Sequence, residues 1–323
     1  MQITAVTFFD LVRDGLVEVE TRMRSCPDGA HPKLAHAINH LLSSGGKRIR
    51  PTITLLAGGL LKADHDRLVT LAAAVEMLHT ATLVHDDLID KSILRRGFPT
   101  LNAKWTTGAT VLTGDYLFAR AADLATQVES LELVSRFSGS LMTIVNGEIT
   151  QFFRTPSDTP REDYFRRIFA KTAALFEMAA EGPAMLSEAD EEQTHALRVY
   201  GNNVGIAFQI VDDVLDFVGN PEQVGKPTAN DLRQGLITLP TLCYMEANSK
   251  DRDLAALMGN GHLAGKSIER LIGAISSSGA IDQALREARE YIDEAISQLE
   301  RFPSCVERDS LRELAEYVVQ RTV

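Results

Sequence analysis

The chain has 323 residues, 45% of them hydrophobic and 24% charged, enough for a sizeable core in one large domain or two ordinary ones. Thirty-three Lys and Arg against 44 Asp and Glu leave a net charge of −11, which repels phosphate backbones and argues against nucleic acid as a partner. Cys26, Cys243 and Cys305 form no CxxC pair, MQITAVTFFD has no basic n-region, and the apolar run Leu68 to Val84 is broken by Glu76 and His79. The expectation is a soluble cytoplasmic chain with reduced thiols and no transmembrane segment.

In chain order, the first informative stretch is SSGGKRIRP, 43–51, where Lys47, Arg48 and Arg50 follow a glycine pair and Pro51 suits the first turn of a helix. Glycines let backbone N–H groups approach an anion, a helix start favours it, and arginine grips it with two donors. RLVTLAAAVEMLHTATLV is apolar on nearly every face, which predicts a helix buried in a larger helical array. It runs into LVHDDLID, Leu83 to Asp90, and breaks at RRGFP, 95–99, which holds Arg95 and Arg96. NGEITQF adds Glu148 and Gln151 as buried polar candidates, before a break at RTPSDTP, 154–160.

HALRVYGNNVGIAFQIVDDVLDFV predicts a second long apolar helix, ended by VGNPEQVGKP, 218–227, which contains Lys226. GNGHLAGKS, 259–267, imitates a phosphate-binding loop, but Asn260 stands where the motif needs glycine and no strand precedes it. After SSSG, 276–279, IDQALREAREYIDEAISQLERF predicts an amphipathic surface helix. No run alternates in the manner of a strand, and no break is long enough for a domain linker. The reading is one all-α domain over 1–323.

HDDLID and VDDVLD share the pattern D-D-x-x-D. At about 100° per residue, Asp86 and Asp90 lie on one helix face and Asp87 points elsewhere. Asp212 and Asp216 repeat that spacing, and Gln209 and Asp213 fall within a turn, so one face is expected to carry all four. Both clusters sit at helix C-termini, where partial negative charge already disfavours carboxylates. One such motif fits a solvated helix end; two, each behind an apolar helix body, call for cations. Hard oxygen ligands without Cys or paired His favour Mg²⁺, which is held by a few carboxylates together with substrate phosphates. The nearby basic groups suit those phosphates. His79, seven residues before Asp86 on the same face, joins the candidates on the strength of its neighbours.

GGKRIRP, HTATLVHDDLIDKSILRRG, GDYLFARA, AKTAALFE and GIAFQIVDDVLDF, with GKP and DL downstream, together resemble the trans-polyprenyl diphosphate synthases, most of all the long-chain members. The matches run in the family's order from about residue 43 to 240. The resemblance implies an all-helical isoprenoid synthase fold, with antiparallel helices around a central cavity, and a homodimer. It implies head-to-tail condensation of isopentenyl diphosphate onto an allylic diphosphate, with three Mg²⁺ per site. Asp86, Asp90 and Asp212 would hold the metal, with Asp87 and Asp216 in supporting metal-site roles. Arg95, Lys171 and Lys226 would neutralise the allylic diphosphate. Gly46, Lys47, Arg50, His79 and Arg96 would form the isopentenyl diphosphate site, with Gln151 also toward substrate. Thr172 and Gln209 would lie against the reacting carbons.

Ala81 and Thr82, one turn before Asp86, are small where short-chain relatives carry bulky aromatics. The resemblance therefore implies an open cavity and a long product, octaprenyl to decaprenyl, for a quinone side chain. Farnesyl or geranylgeranyl diphosphate is the alternative product. Other classes are a non-catalytic partner subunit, which would have lost its aspartates, and a metal phosphohydrolase built on His85-Asp86. The chain departs from many relatives after Gly235, where Leu236 stands in place of a lysine.

Overall fold

A computed structural model describes residues 7–25, 29–153, 160–218, 228–260, 263 and 265–321. Its helices are α1 (Thr7–Leu11), α2 (Arg13–Arg24), α3 (Pro32–Ser43), α4 (Ile49–Leu60), α5 (His65–Ile89), α6 (Leu101–Lys104), α7 (Thr107–Gln127), α8 (Leu131–Phe152) and α9 (Pro160–Ile168). A π-helical turn, Phe169–Ala173, leads into α10 (Ala174–Glu181) and a 3₁₀ turn, Gly182–Leu186. Then come α11 (Glu191–Val218), α12 (Asn230–Arg233), α13 (Leu239–Ala247), α14 (Arg252–Asn260), α15 (Lys266–Ser277), α16 (Ala280–Leu299) and α17 (Val306–Gln320).

The chain divides into two compact units. The first comprises 1–142, 175–201 and 298–314, the second 143–174, 202–297 and 315–323. Their boundaries fall inside helices rather than in linkers.

In the first unit α5 is the core helix, packing most extensively on α7 and also on α4 and α2. Leu68 to Leu78 is buried without interruption, Glu76 included, so the all-round apolar character of the sequence has its physical reason in burial on every side. α5 is long and apolar enough to cross a membrane, yet 78% of its apolar window is buried inside the protein. The Asp64 carboxylate caps its N-terminus by accepting from the Arg67 N–H at 2.9 Å. Thr54 ties α4 to α10 by donating to the Ala179 carbonyl at 3.0 Å. Glu181, fully buried, receives both Arg136 and Arg198, which offsets the cost of placing its charge there.

In the second unit Arg161 of α9 pairs with Glu246 of α13 at 2.9 Å and with Glu287 of α16. Gly147 of α8 lies so close to the π turn that a Cβ there would stand 2.5 Å from the Cβ of Ala170.

Two local features differ from the sequence expectation. Leu94–Arg95 and Phe98–Pro99 form a minimal antiparallel hairpin, β1 and β2, where no strand was expected. Its two turn residues, Arg96 and Gly97, have φ of 52° and 79°, the pattern of a type I′ turn. Two-residue strands carry no alternation, so the only sequence signal was the Gly97 turn. The π turn was equally silent, because its residues have ordinary helical propensities.

Candidate functional site

In the first unit, the end of α5 sorts the first acidic motif by exposure. Asp86 is half-buried and Asp90 exposed, while Asp87 is buried at 6% exposure. Asp87 receives Arg95 on both carboxylate oxygens, Nε lying 2.9 Å from each. Its carboxylate is thus committed to an arginine, and Arg95 is held here by Asp87. The helix ends in a Schellman arrangement: Ser92 N–H donates to the Asp87 carbonyl at 2.9 Å and Lys91 N–H to Leu88 at 3.3 Å. Lys91 adopts the left-handed conformation (φ 53°) usual for glycine at that position.

The hairpin delivers Arg95 and Arg96 to different partners. Arg96 donates to the Gly45 carbonyl, so the β-turn is bonded to the glycine loop before α4. That loop is shaped by Arg48, the residue before α4, which adopts φ 48°. Its guanidinium donates to Glu76 at 2.9 Å, Glu20 at 3.1 Å and the Leu42 carbonyl at 3.3 Å. Left-handed backbone costs about 1–2 kcal/mol per non-glycine residue, so Arg48, Lys91 and Arg96 store strain at one site. Lys47 is exposed. Arg50 is buried, and its guanidinium stacks over the Phe176 ring at 4.4 Å.

A cavity of about 50 Å³ lies among these groups, lined by Arg48, His79, Arg95 and Arg96 together with Glu76 and Asp87. His79 is held neutral: burial lowers its pKa well below the ordinary 6.5, and Arg50, Arg96, Arg95 and Arg48 push the same way. On unfolding it regains its ordinary basicity, so the unfolded chain takes up the proton first as pH falls. The stability His79 contributes is therefore full above pH 6.5 and lost progressively below it. Urea titrations at several pH values should show His79→Gln flattening that acid-side decline; an unchanged slope would rule His79 out as its source.

Ala81 and Thr82 separate sharply. Ala81 is 0% exposed. Thr82 is partly exposed, with its hydroxyl donating to the His79 carbonyl at 2.8 Å. His85 packs against Phe118 with ring centroids 5.2 Å apart and lies 3.6 Å from Asp115.

The second unit holds the second motif. Asp212 is half-buried and pairs with Arg321 at 3.1 Å. Arg321 also stacks over Phe208 at 3.9 Å. Asp216 accepts the Asp231 N–H at 3.0 Å, and its own carbonyl accepts from Ala229 at 2.7 Å, which ties α11 to α12. Asp213 is buried and accepts from Gln209 Nε2 at 2.8 Å and Tyr164 OH at 2.8 Å. Burial pushes its pKa up to about 7, against the pull of those two hydrogen bonds. Thr172, from the π turn, donates to Gln209 Oε1 at 2.6 Å. The four residues expected on one face are therefore divided: Gln209 and Asp213 turn inward, while Asp212 and Asp216 meet other partners.

Lys171 pairs with Glu148 at 3.3 Å, and neither Glu148 nor Gln151 is buried, contrary to expectation. In the segment Asp231–Leu236, Arg233 donates to Glu269 at 2.7 Å. Lys226 and Cys26 lie outside the described residues. Glu76, Tyr164 and Arg321 were missed as partners of site residues. Glu76 alone had a signal, a charge inside an apolar helix.

Among the described residues no three His, Cys, Asp or Glu side chains gather as a closed cage. The donors of each unit suit Mg²⁺, which completes its shell with water and phosphate: in the first, Asp86 and Asp90 are hard oxygens at the end of α5, and in the second Asp212 is a half-buried carboxylate beside Arg321.

The model of the family described as polyprenyl synthetase matches residues 31–275. The chain is similar to heptaprenyl diphosphate synthase component 2 of Geobacillus stearothermophilus, 36% identical over 97% of this chain and 98% of that protein. It is similar in structure to a decaprenyl diphosphate synthase from Rhodobacter capsulatus, with TM-score 0.89 and 34% identity over 98% of this chain and 99% of that one. It is also similar to a polyprenyl synthase from Caulobacter crescentus solved with calcium and isoprenyl diphosphate, with TM-score 0.87 and 36% identity over the full length of both chains.

Proposed function

We propose that this chain, which belongs to the polyprenyl synthetase family, is a prenyltransferase that condenses isopentenyl diphosphate head-to-tail onto an allylic diphosphate. The product is a long all-trans polyprenyl diphosphate for a quinone side chain, made in the cytoplasm by a homodimer of a single 1–323 domain. The carrying observation is the strained, arginine-lined cavity of the first unit beside a D-D-x-x-D motif. Three arginines around a small cavity, with neutral His79 beside them, suit a phosphate group, and long-chain names among the similar proteins support the product class.

Asp86, Asp90 and Asp212 would hold Mg²⁺, three ions in all, with Asp87 and Asp216 fixing Arg95 and the α11–α12 junction behind them. Bound Mg²⁺ neutralises the diphosphate and makes it a better leaving group. Lys47, Arg50, His79 and Arg96 would bind isopentenyl diphosphate, with Gly46 giving backbone access. Arg95, Lys171 and Lys226 would face the allylic diphosphate, and Gln151 would also lie toward substrate. Diphosphate binding releases Arg95 and Lys171 from Asp87 and Glu148 only if the phosphate is the better partner; the multiple negative charge spread over its oxygens, against one on a carboxylate, makes it so. Thr172 and Gln209 would lie against the reacting carbons.

Purified protein incubated with Mg²⁺, labelled isopentenyl diphosphate and farnesyl diphosphate is expected to yield products of about forty to fifty carbons. No elongation of any primer would leave a non-catalytic subunit as the reading, and products ending at twenty carbons would leave the short-chain alternative.

Because Thr82 rather than Ala81 is accessible, Thr82→Phe is expected to shorten the product with the first condensations intact. Ala81→Phe is expected instead to cost about 1–3 kcal/mol by overpacking α5. Product sizing and melting curves on both variants separate the two. For the homodimer, Val145, Ile149 and Phe152 expose 41%, 52% and 70% along one stripe of α8, an apolar face a second copy would cover. Light scattering should return twice the 35.4 kDa chain mass.

A further inference from the structure

We infer that Tyr164 and Asp213 are positioning residues that fix the polarity of the Thr172 hydroxyl, an inference that rests on the prenyl-transfer reading above. The second unit carries an unbroken chain of hydrogen bonds from the middle of α9 to the π turn. Tyr164 OH donates to Asp213 Oδ2 at 2.8 Å, Gln209 Nε2 donates to Asp213 Oδ1 at 2.8 Å, and Thr172 donates to Gln209 Oε1 at 2.6 Å. Tyr164 is fully buried, Asp213 is 4% exposed and Thr172 is 5% exposed, while Gln209 between them is half-buried.

The direction of the chain follows from donor and acceptor chemistry. Both carboxyl oxygens of Asp213 are taken as acceptors, Oδ2 by Tyr164 and Oδ1 by Gln209, so the amide of Gln209 turns its NH₂ end toward Asp213. Its carbonyl end then faces Thr172. The single hydroxyl proton of Thr172 is spent on that carbonyl, and the oxygen lone pairs are left for whatever else the hydroxyl meets. Against an allylic cation a lone pair is stabilising and an O–H dipole is not. Tyr164 anchors the far end: burial and the neighbouring Asp213 push its pKa well up, so it stays a donor.

Asparagine at 213 would reverse the chain. Tyr164 would still donate to the side-chain oxygen of the new amide, whose NH₂ group would then face Gln209. Gln209 would turn over to accept from it and present its own NH₂ to Thr172, leaving the threonine proton pointing outward. Phenylalanine at 164 removes the anchor and lets either amide turn freely. The two substitutions should therefore oppose each other, which simple loss of packing does not produce.

The test measures kcat and both KM values with farnesyl and isopentenyl diphosphates for Asp213→Asn, Tyr164→Phe and the double variant, each with Thr172 and with Thr172→Val. Asp213→Asn is expected to lower kcat about 10²-fold with KM nearly unchanged. Tyr164→Phe alone leaves Asp213 as the acceptor for Gln209 and is expected to change kcat by less than about 2-fold, whereas adding it to Asp213→Asn should recover about 10-fold. On Thr172→Val none of them should matter further, since no hydroxyl remains to orient. Equal losses with and without the threonine hydroxyl would overturn the inference, as would additive losses in the double variant. Should Asp213→Asn fail to fold by circular dichroism, Gln209→Leu takes its place: it removes the acceptor that holds the threonine proton, its loss of kcat should vanish on Thr172→Val, and an equal loss on both backgrounds would overturn the inference. Wild-type protein that elongates no primer overturns both this inference and the reaction assigned above, whereas active wild type with additive losses overturns this inference only.

Discussion

Alanine at Asp86 is expected to lower the condensation rate about 10³-fold or more with the melting temperature almost unchanged, while alanine at Asp87 is expected to unsettle the fold. The two residues are adjacent and chemically identical, so the contrast isolates environment. Asp86 is half-buried at the end of α5, one turn from the exposed Asp90, where a carboxylate can reach metal and water. A rate loss of that size is about 4 kcal/mol of transition-state stabilisation, within what metal-assisted charge neutralisation supplies. Asp87 is buried and holds Arg95 through both oxygens. Removing a partner from a fully buried pair costs about 3–5 kcal/mol; Arg95 is 36% exposed, which lowers the expectation to about 2–3 kcal/mol. Denaturant titration with steady-state rates on both variants checks this. Equal stability losses at the two positions would place Asp86 in the structure rather than at the metal.

Glutamine at Glu76 is the second large effect. Glu76 is 5% exposed inside the core helix, and Arg48 is its charged partner at 2.9 Å. Glutamine keeps the shape and one hydrogen bond but leaves the guanidinium with only Glu20 to offset its charge, and Glu20 is substantially exposed. The expected cost is about 2–4 kcal/mol. The consequence reaches the site because Arg48 sits in the left-handed region, a conformation held only while its side chain is anchored. Freed of Glu76, the Gly45–Arg48 loop should relax, and the KM for isopentenyl diphosphate should rise about 10-fold with the allylic KM unchanged. A stability loss without any change in KM would detach the ion pair from substrate binding.

These two effects mark the line between what could be read along the chain and what could not. That Asp86 and Asp90 share a face and Asp87 does not is a matter of helix geometry, fixed by 3.6 residues per turn before any packing occurs. The same holds for the apolar body of α5 and for the punctuation that ends it. The order of the motifs sufficed for the family resemblance, and the all-helical architecture followed from it and from the helical periodicity.

The partners were another matter. Arg48 and Glu76, Tyr164 and Asp213, and Arg321 and Asp212 are separated by many residues, and nothing local chooses one cation or donor over another. The arc shared by Gln209, Asp212, Asp213 and Asp216 is wide enough for neighbouring helices to divide it, and they do: two side chains turn inward to Tyr164 and Thr172, and two meet Arg321 and α12. The hairpin at Arg95–Phe98 and the π turn at Phe169–Ala173 escaped for a related reason, since each is too short for periodicity to register and each exists to satisfy contacts made elsewhere. By itself, the sequence determined which residue types stand on which helix face and hence the chemistry on offer, because covalent geometry sets those positions. Only the tertiary structure decided which partner each aspartate meets, arginine, tyrosine or backbone, and how deeply each is buried, because burial and long-range packing set the cost of leaving a charge unpaired.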